Sequence, residues 1–254
     1  PVPLCGRVLT IRDLIYWGGL KNLTGYQDNV LLNLTTAGLI IFGGLGFLVI
    51  MDLIKNRSFK KLCLHSKAVI TTSAILLVVG TVLIRVTEQI TWLGAFFTSV
   101  SARTAGFSTF SLGNFTNAGL LTVTVLMFIG ASPGSTGGGI KTSTLAVLLL
   151  YVHSNIRQTY GVEIFGRRLE DESIRQSACI LTINLGLMLA ATIAIMVSQN
   201  LPMSDVFFET CSAIGTSGMS TGVTRSLNSF SRIVIILLMY CGRIGSLSFA
   251  LAFT

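Results

Sequence analysis

The sequence predicts an all-helical integral membrane protein that repeats one unit: a span, a short re-entrant helix, a glycine-containing loop and a second span. Three observations lead to this fold class. Only 11% of the 254 residues are charged, whereas soluble domains have roughly 25%. Apolar segments have membrane-crossing lengths, and part of the sequence recurs in register. The basic residues behind the net charge of +8 lie between apolar spans, which indicates positive-inside loops rather than a nucleic-acid surface.

Crossing a hydrocarbon core of about 30 Å takes roughly 20 apolar residues. Segments long enough to span are 30–54, 67–87, 177–199 and 229–254, together with 116–152, which a glycine-rich stretch interrupts. Two shorter stretches, 92–103 and 203–214, have the length typical of re-entrant helices. An ordinary helix on the outer surface is the alternative for 92–103.

Charge gives these spans a direction. Basic residues concentrate in 55–67 and 157–175, and we expect both loops to be cytoplasmic. Glu88, Asp205 and Glu209 then fall near the outer side, where carboxylates would raise the local cation concentration. Glu209 lies within a short helix and could equally form a cap or a local pair.

An internal repeat is the strongest organising signal. "FFTSVSARTAGFST" at 96–109 aligns with "FFETCSAIGTSGMST" at 207–221, and "LMFIG" at 126–130 aligns with "LMYCG" at 238–242. A partial third copy, "LIIFG", lies at 39–43. The chain therefore contains the end of one unit and two nearly complete units in the same orientation.

Each of the two nearly complete units contains the pattern T-x-G-x-S-T. We call residues 104–109 the first loop and residues 216–221 the second loop. Non-helical backbone at membrane depth is tolerated only where it is buried in protein or lines a water-filled cavity. Glycine allows the positive φ that turns successive carbonyls to one side, and such oxygens can replace the hydration shell of a monovalent cation. The alternative for either loop alone is an interfacial turn.

The loops "TAGFST" and "GTSGMST", with "GASPGSTGGGIKTST" at 130–144, resemble the Trk/Ktr/HKT superfamily of potassium transporters, most closely the membrane (pore) subunit of bacterial Ktr systems. The resemblance covers roughly residues 20–254. It implies four units in a pseudo-fourfold arrangement around one pore, with one broken helix. We interpret the chain as a carboxyl-terminal portion with these parts: 1–29, an atypical start and the tail of the second-unit pore region; 30–66, the last helix of the second unit and a cytoplasmic loop; 67–176, the third unit with the broken helix and a cytoplasmic loop; and 177–254, the fourth unit. Residues 1–18 match no second-unit filter, so none is assigned there.

The resemblance also implies roles for individual residues. The ion filter would consist of Thr104, Ala105, Gly106, Phe107, Thr216, Ser217, Gly218 and Met219. The intramembrane gate loop would consist of Gly130, Ala131, Ser132, Pro133, Gly134, Ser135, Thr136, Gly137, Gly138, Gly139 and Lys141. Arg243, inside the last apolar run, would form a positive barrier under the filter, and we expect it to hydrogen-bond carbonyls of 131–139.

The gate-loop segment has two features that the residues alone leave open. The ammonium of Lys141 could face a cavity or snorkel to the membrane interface, and we favour the interface. A phosphate-binding loop is the rival interpretation, but Ile140 separates Gly139 from Lys141, whereas the Walker motif needs Gly-Lys.

By resemblance, the function is potassium uptake across the bacterial cytoplasmic membrane by a multi-pass protein, either passive or sodium-dependent, without a covalent cofactor and with K⁺, and in the coupled case Na⁺, as the transported ions. The implied partners are a cytoplasmic nucleotide-binding regulatory ring, a second copy of the chain and the lipid bilayer, with no nucleic acid. The alternatives are a transporter of another substrate, although broken-helix transporters often use inverted repeats, and an inactive truncated fragment. An enzyme is disfavoured because the apolar spans contain no paired carboxylates and the chain has no H-E-x-x-H motif.

Overall fold

The computed structural model describes residue 23 and residues 26–27, 29–57, 59–135, 137–158, 163–164, 167–169 and 171–244. The atypical start at 1–18, Thr136 and the end of the last expected span, 245–254, lie outside these residues.

The described chain is helical almost throughout. Its α-helices are α1 (Val30–Leu45), α2 (Phe47–Asn56), α3 (Leu64–Thr87), α4 (Trp92–Ala102), α5 (Asn117–Phe128), α6 (Thr142–Ile156), α7 (Asp171–Ser198), α8 (Met203–Ile214) and α9 (Ser229–Ile244). Short 3₁₀ helices cover Phe59–Lys61, Leu112–Asn114 and Val223–Ser226. The expected cytoplasmic connector contains one two-residue antiparallel pair, β1 (Glu163–Ile164) with β2 (Arg167–Arg168). The all-helical class is confirmed.

Two expected spans have the predicted form. Within the described residues, α3 and α7 are each long and apolar enough to cross a membrane. The short helices α4 and α8 are also present as predicted. Thr91 is the N-cap of α4, and its hydroxyl oxygen accepts a hydrogen bond from the backbone N–H of Gly94 at 3.2 Å. The break expected within 116–152 separates α5 from α6.

The prediction of one continuous span over 30–54 is wrong. α1 and α2 meet at Gly46 with a bend of 95°. Gly46 has φ +84°, and a Cβ there would lie 2.6 Å from the carbonyl oxygen of Pro133. The bend therefore comes from close packing against a segment some 90 residues away in the sequence, which the uniformly apolar run around Gly46 does not reveal.

The short helices α4 and α8 lie inside the packed helices. Phe97 and Phe208, which correspond in the repeat, are both fully buried. The main core forms where α8 packs against α5, α7 and α9, while α4 packs chiefly against α3 and α1. Each short helix is thus enclosed by longer ones, and each places its following loop inside the protein.

Candidate functional site

The first and second loops have the same backbone conformation. In the first loop Thr104 has φ 83° and Gly106 has φ 80°; in the second, Thr216 has φ 50° and Gly218 has φ 85°. Positive φ is uncommon for any residue except glycine and is costly for a β-branched one. Strain of this kind clusters at functional sites, and here it recurs at both equivalent threonines.

Both loops are fastened to the preceding short helix by an equivalent serine. The hydroxyl of Ser101 donates to the carbonyl of Phe107, and the hydroxyl of Ser212 donates to the carbonyl of Met219 at 2.6 Å. Backbone N–H groups of both loops also donate to these serines: Ala105 to the Ser101 carbonyl and Ser217 to the Ser212 carbonyl, both at 3.0 Å. With amides directed backwards, the remaining carbonyl oxygens are available on the other side.

Several of these carbonyl oxygens accept no hydrogen bond from any described residue. They belong to Thr104, Ala105, Thr216, Ser217 and Gly218. Thr104 and Ser217 are buried, and buried carbonyls are nearly always paired with protein, water or a ligand. These oxygens therefore form a candidate binding site for a cation or for water.

The two loops touch each other. A Cβ on Gly106 would lie 2.3 Å from the carbonyl oxygen of Ser217, so only glycine allows this approach. The hydroxyl of Ser217 donates to the carbonyl of Ala102 at 2.8 Å, which links the second loop to the end of α4. The repeated loops thus form one site rather than two separate turns.

The glycine-rich loop, residues 130–141 between α5 and α6, is closed at its base. The N–H of Gly130 donates to the carbonyl of Ile140 at 2.8 Å, and the N–H of Ile140 donates to the carbonyl of Phe128 at 3.2 Å. These two bonds bring the ends of α5 and α6 together. The residues between them project as a compact loop, and the helical span is broken as expected.

This glycine-rich loop lies directly against the two strained threonines. The N–H of Gly138 donates to Oγ1 of Thr216 at 2.9 Å, and a Cβ on Gly138 would lie 2.6 Å from that same oxygen. A Cβ on Gly137 would lie 3.0 Å from the side chain of Thr104. The loop can seat here only because both positions lack a side chain.

The far end of the glycine-rich loop contacts the bend between α1 and α2. The N–H of Ser132 donates to the carbonyl of Gly44 at 3.2 Å, and the N–H of Phe47 donates to the carbonyl of Gly134 at 3.4 Å. Within the loop, the hydroxyl of Ser135 donates to the Ser132 carbonyl at 2.6 Å. The loop is therefore held at both ends by backbone groups.

Lys141 is not placed as we expected. Its ammonium donates to the carbonyl of Gly137 in the same loop instead of extending to the interface. The phosphate-loop interpretation also fails on geometry, because the element before the loop is helix α5 rather than a strand, and Gly137 and Gly138 face threonines rather than an open cradle.

Arg243 lies in the last turn of α9, and its side chain is exposed. The preceding residue reaches the glycine-rich loop: the carbonyl oxygen of Gly242 would be 2.9 Å from a Cβ on Gly138. The backbone beside Arg243 thus contacts the loop, whereas the expected hydrogen bonds from its guanidinium to carbonyls of 131–139 stay a prediction.

Sequence reasoning missed the role of Arg103. Its guanidinium donates to the carbonyl and the hydroxyl of Ser73 at 3.3 and 3.2 Å, which fastens the first loop to α3. Arg103 and Ala131 of the glycine-rich loop line a common cavity of about 30 Å³. The available signal was an arginine in "SARTAG" where the other repeat has the buried Ile214.

Two of the three acidic residues expected near the outer side, Glu88 and Glu209, form local contacts, while the role expected for Asp205 stays a prediction. Glu88 is buried, and its Oε1 accepts hydrogen bonds from the N–H and the hydroxyl of Thr116, both at 2.8 Å, at the start of α5. It acts as a cap instead of an exposed attractor of cations. Glu209 is also buried and accepts a hydrogen bond from the hydroxyl of Ser220, which is the local pairing left open by the sequence.

Comparison with known proteins identifies the family of the chain. Residues 64–254 match the family model of the cation transport protein TrkH. The chain is 37% identical over 243 residues to Ktr system potassium uptake protein B of Vibrio alginolyticus, covering 90% of this chain and 53% of that protein. It is 35% identical over 239 residues to potassium/sodium uptake protein NtpJ of Enterococcus hirae, covering 88% of this chain and 53% of that protein.

The fold has a solved counterpart. The crystal structure of the potassium transporter TrkH from Vibrio parahaemolyticus superposes with a TM-score of 0.75 at 17% identity, covering 92% of this chain and 54% of that one. The chain spans about half the length of the curated relatives it matches.

Proposed function

The chain belongs to the TrkH family of cation transport proteins, and on that premise we propose that it takes up potassium through a pore to which the first and second loops contribute. It is a multi-pass membrane protein with the TrkH fold. The transported ion would shed water at the two loops and be coordinated by backbone carbonyls.

One observation carries this proposal: two loops with the same pattern of positive φ touch, and carbonyl oxygens of both accept no hydrogen bond from a described residue. The serines of α4 and α8 engage the carbonyls of Phe107 and Met219. We therefore assign the ion ligands to the carbonyls of Thr104, Ala105 and 216–218, and we assign Phe107 and Met219 to holding the loop shape. Neither loop, 104–109 or 216–221, contains a charged residue, which suits an ion that must bind and leave rapidly.

The glycine-rich loop would act as the gate. It contacts the threonine at the beginning of each ion loop, so it obstructs one end of the proposed pathway. Moving the Gly137–Gly138 side of the loop away from the second loop breaks the hydrogen bond from Gly138 to Thr216, and a neutral hydrogen bond contributes only about 0.5–1.5 kcal/mol. A regulator could therefore shift it. Arg243, next to the Gly242 contact, would add a positive barrier at the same level.

The partners follow from the family and from charge. The basic loops at 55–67 and 157–175 would face the cytoplasm and receive a nucleotide-binding regulatory subunit, and the protein would work as a homodimer in the bilayer. Sodium-dependent uptake is the second candidate, favoured by the similarity to a relative named for both potassium and sodium uptake.

Rubidium uptake by the full-length protein in cells lacking their own potassium uptake tests the proposal. Gly106→Ser should lose potassium preference, because its side chain would collide with the Ser217 carbonyl at a φ of +80°. Gly186→Ser is the matched control, since Gly186 has no atom within 4 Å of an added Cβ, and it should behave as wild type. Wild-type preference in Gly106→Ser would remove Gly106 from the filter. Repeating the uptake without sodium separates passive from sodium-dependent transport.

A further inference from the structure

Glu209 is a buried acidic residue whose side chain holds the second loop. It lies one helical turn before Ser212 on α8, so the pair forms one edge along the back of the second loop. Ser212 binds the Met219 carbonyl at 2.6 Å, and Glu209 binds the hydroxyl of the next residue, Ser220. In the first loop the equivalent serine, Ser108, is held through its carbonyl, which accepts the N–H of Leu23 at 3.1 Å, and no carboxylate of the short helix reaches it within the described residues. At the position of Glu209 its helix carries Thr98, whose hydroxyl donates to the Gly94 carbonyl of its own helix at 2.8 Å.

The bond to Glu209 is the centre of a small network. Ser220 Oγ also accepts the N–H of Gly222 at 2.9 Å and lies 2.9 Å from Oγ1 of Thr224. Because the single hydroxyl proton of Ser220 goes to Glu209, the hydroxyl of Thr224 donates to Ser220. A buried network satisfied in this way fixes one geometry, since losing a partner leaves a buried polar group unpaired.

Within the described residues, no basic side chain forms an ion pair with Glu209. Glu209 is 7% exposed, and the charged side chain that acts on it within the described residues is the like-charged Asp205, one turn earlier on α8. Like charges four residues apart weaken a helix slightly. A buried carboxylate in this setting is retained for what it binds, and it binds the second loop.

We propose that Glu209 is a positioning residue for ion selectivity: it fixes the outer half of the second loop through Ser220. Ser220 follows Gly218 by two residues, so their Cα atoms are at most about 7 Å apart. A shift of Ser220 is therefore passed to the carbonyls of 216–218. This inference rests on the proposed function, because selectivity presupposes that these carbonyls bind the ion.

Potassium and sodium uptake by the full-length protein in liposomes tests this role. Glu209→Thr, which introduces the residue of the first unit, and Ser220→Ala should each lower the potassium-to-sodium ratio by at least roughly threefold, because sites held loosely by their supporting residues lose discrimination. The double variant should be no worse than the worse single variant, since both remove the same contact. Glu209→Gln keeps the acceptor oxygen and should stay within about twofold of wild type.

The matched control is Thr98→Val, which removes a hydroxyl bonded only within its own helix and should leave the ratio unchanged. The proposal is overturned if Ser220→Ala is neutral while Glu209→Gln is as severe as Glu209→Thr, because the charge alone would then matter. It is also overturned if the fold-decrease in the potassium-to-sodium ratio of the double variant equals the product of the fold-decreases of Glu209→Thr and Ser220→Ala, because the two residues would then act independently. Should Glu209→Thr fail to reach the membrane, Ser220→Ala and Glu209→Gln decide by the same criteria. A wild-type protein that transports no potassium contradicts the proposed function itself.

Discussion

The first and second loops share a backbone conformation but not their surroundings. In both, a threonine and a glycine have positive φ, and a serine of the preceding helix holds the carbonyl that follows. The first loop presses its glycine against the Ser217 carbonyl and is tied to α3 by Arg103. The second loop is tied to Glu209 and, through Thr216, to the glycine-rich loop. The repeat thus preserves the backbone of the loops, while the differences lie in the contacts behind them.

The largest expected difference between the loops is at their glycines. Gly106→Ala and Gly218→Ala both place a side chain at positive φ, which costs about 1–2 kcal/mol. Only Gly106→Ala also creates a collision, because its Cβ would lie 2.3 Å from the carbonyl oxygen of Ser217, whereas nothing lies within 4 Å of a Cβ on Gly218. We expect Gly106→Ala to lower the potassium-to-sodium uptake ratio at least about tenfold more than Gly218→Ala, reflecting that added clash. Equal effects would mean that the contact between the loops does not shape the pathway.

Gly138→Ala should have the next largest effect. Its Cβ would lie 2.6 Å from Thr216 Oγ1, so the glycine-rich loop could no longer seat against the second loop. Basal rubidium uptake without the regulatory subunit should rise roughly five- to tenfold, corresponding to the loss of about one hydrogen bond with its packing. Gly186→Ala, on the open face of α7, is the control and should match wild type. Lower uptake in Gly138→Ala would contradict the assignment of this loop as an obstruction.

A smaller effect should separate the two threonines. Thr216→Val removes the acceptor for the Gly138 N–H and keeps the shape, so basal uptake should rise about fivefold. Thr104→Val removes no hydrogen bond to a described residue and should stay within about twofold of wild type. Both variants place valine at a positive φ. The ratio of their basal uptake rates therefore measures the hydrogen bond from Gly138 to Thr216. If Thr104→Val raises basal uptake as much as Thr216→Val, the loop is not held through Thr216.

Much of the local structure followed from sequence pattern alone. The repeat offset located both loops, the glycines in T-x-G predicted positive φ, and segment length separated the short helices from the spans. These features depend on neighbouring residues and therefore appear in the sequence. The positive φ of Thr104 and Thr216 was not anticipated, because a β-branched residue gives no local signal for it.

The missed features all depend on distant contacts. The bend at Gly46 forms against Pro133, Glu88 caps α5 through Thr116, and Lys141 turns back to Gly137. A single sequence shows that Gly46 could bend and that Glu88 could cap, but not which segment lies alongside. The local pairing of Glu209 was left open for the same reason.

The central claim is that the two loops bind one alkali cation between them. The most direct test is an anomalous difference map from crystals of the full-length protein grown in rubidium. We predict a rubidium peak between the carbonyls of Thr104 and Ala105 and those of 216–218. Peaks found only elsewhere, with none in the seam between the loops, would contradict the account.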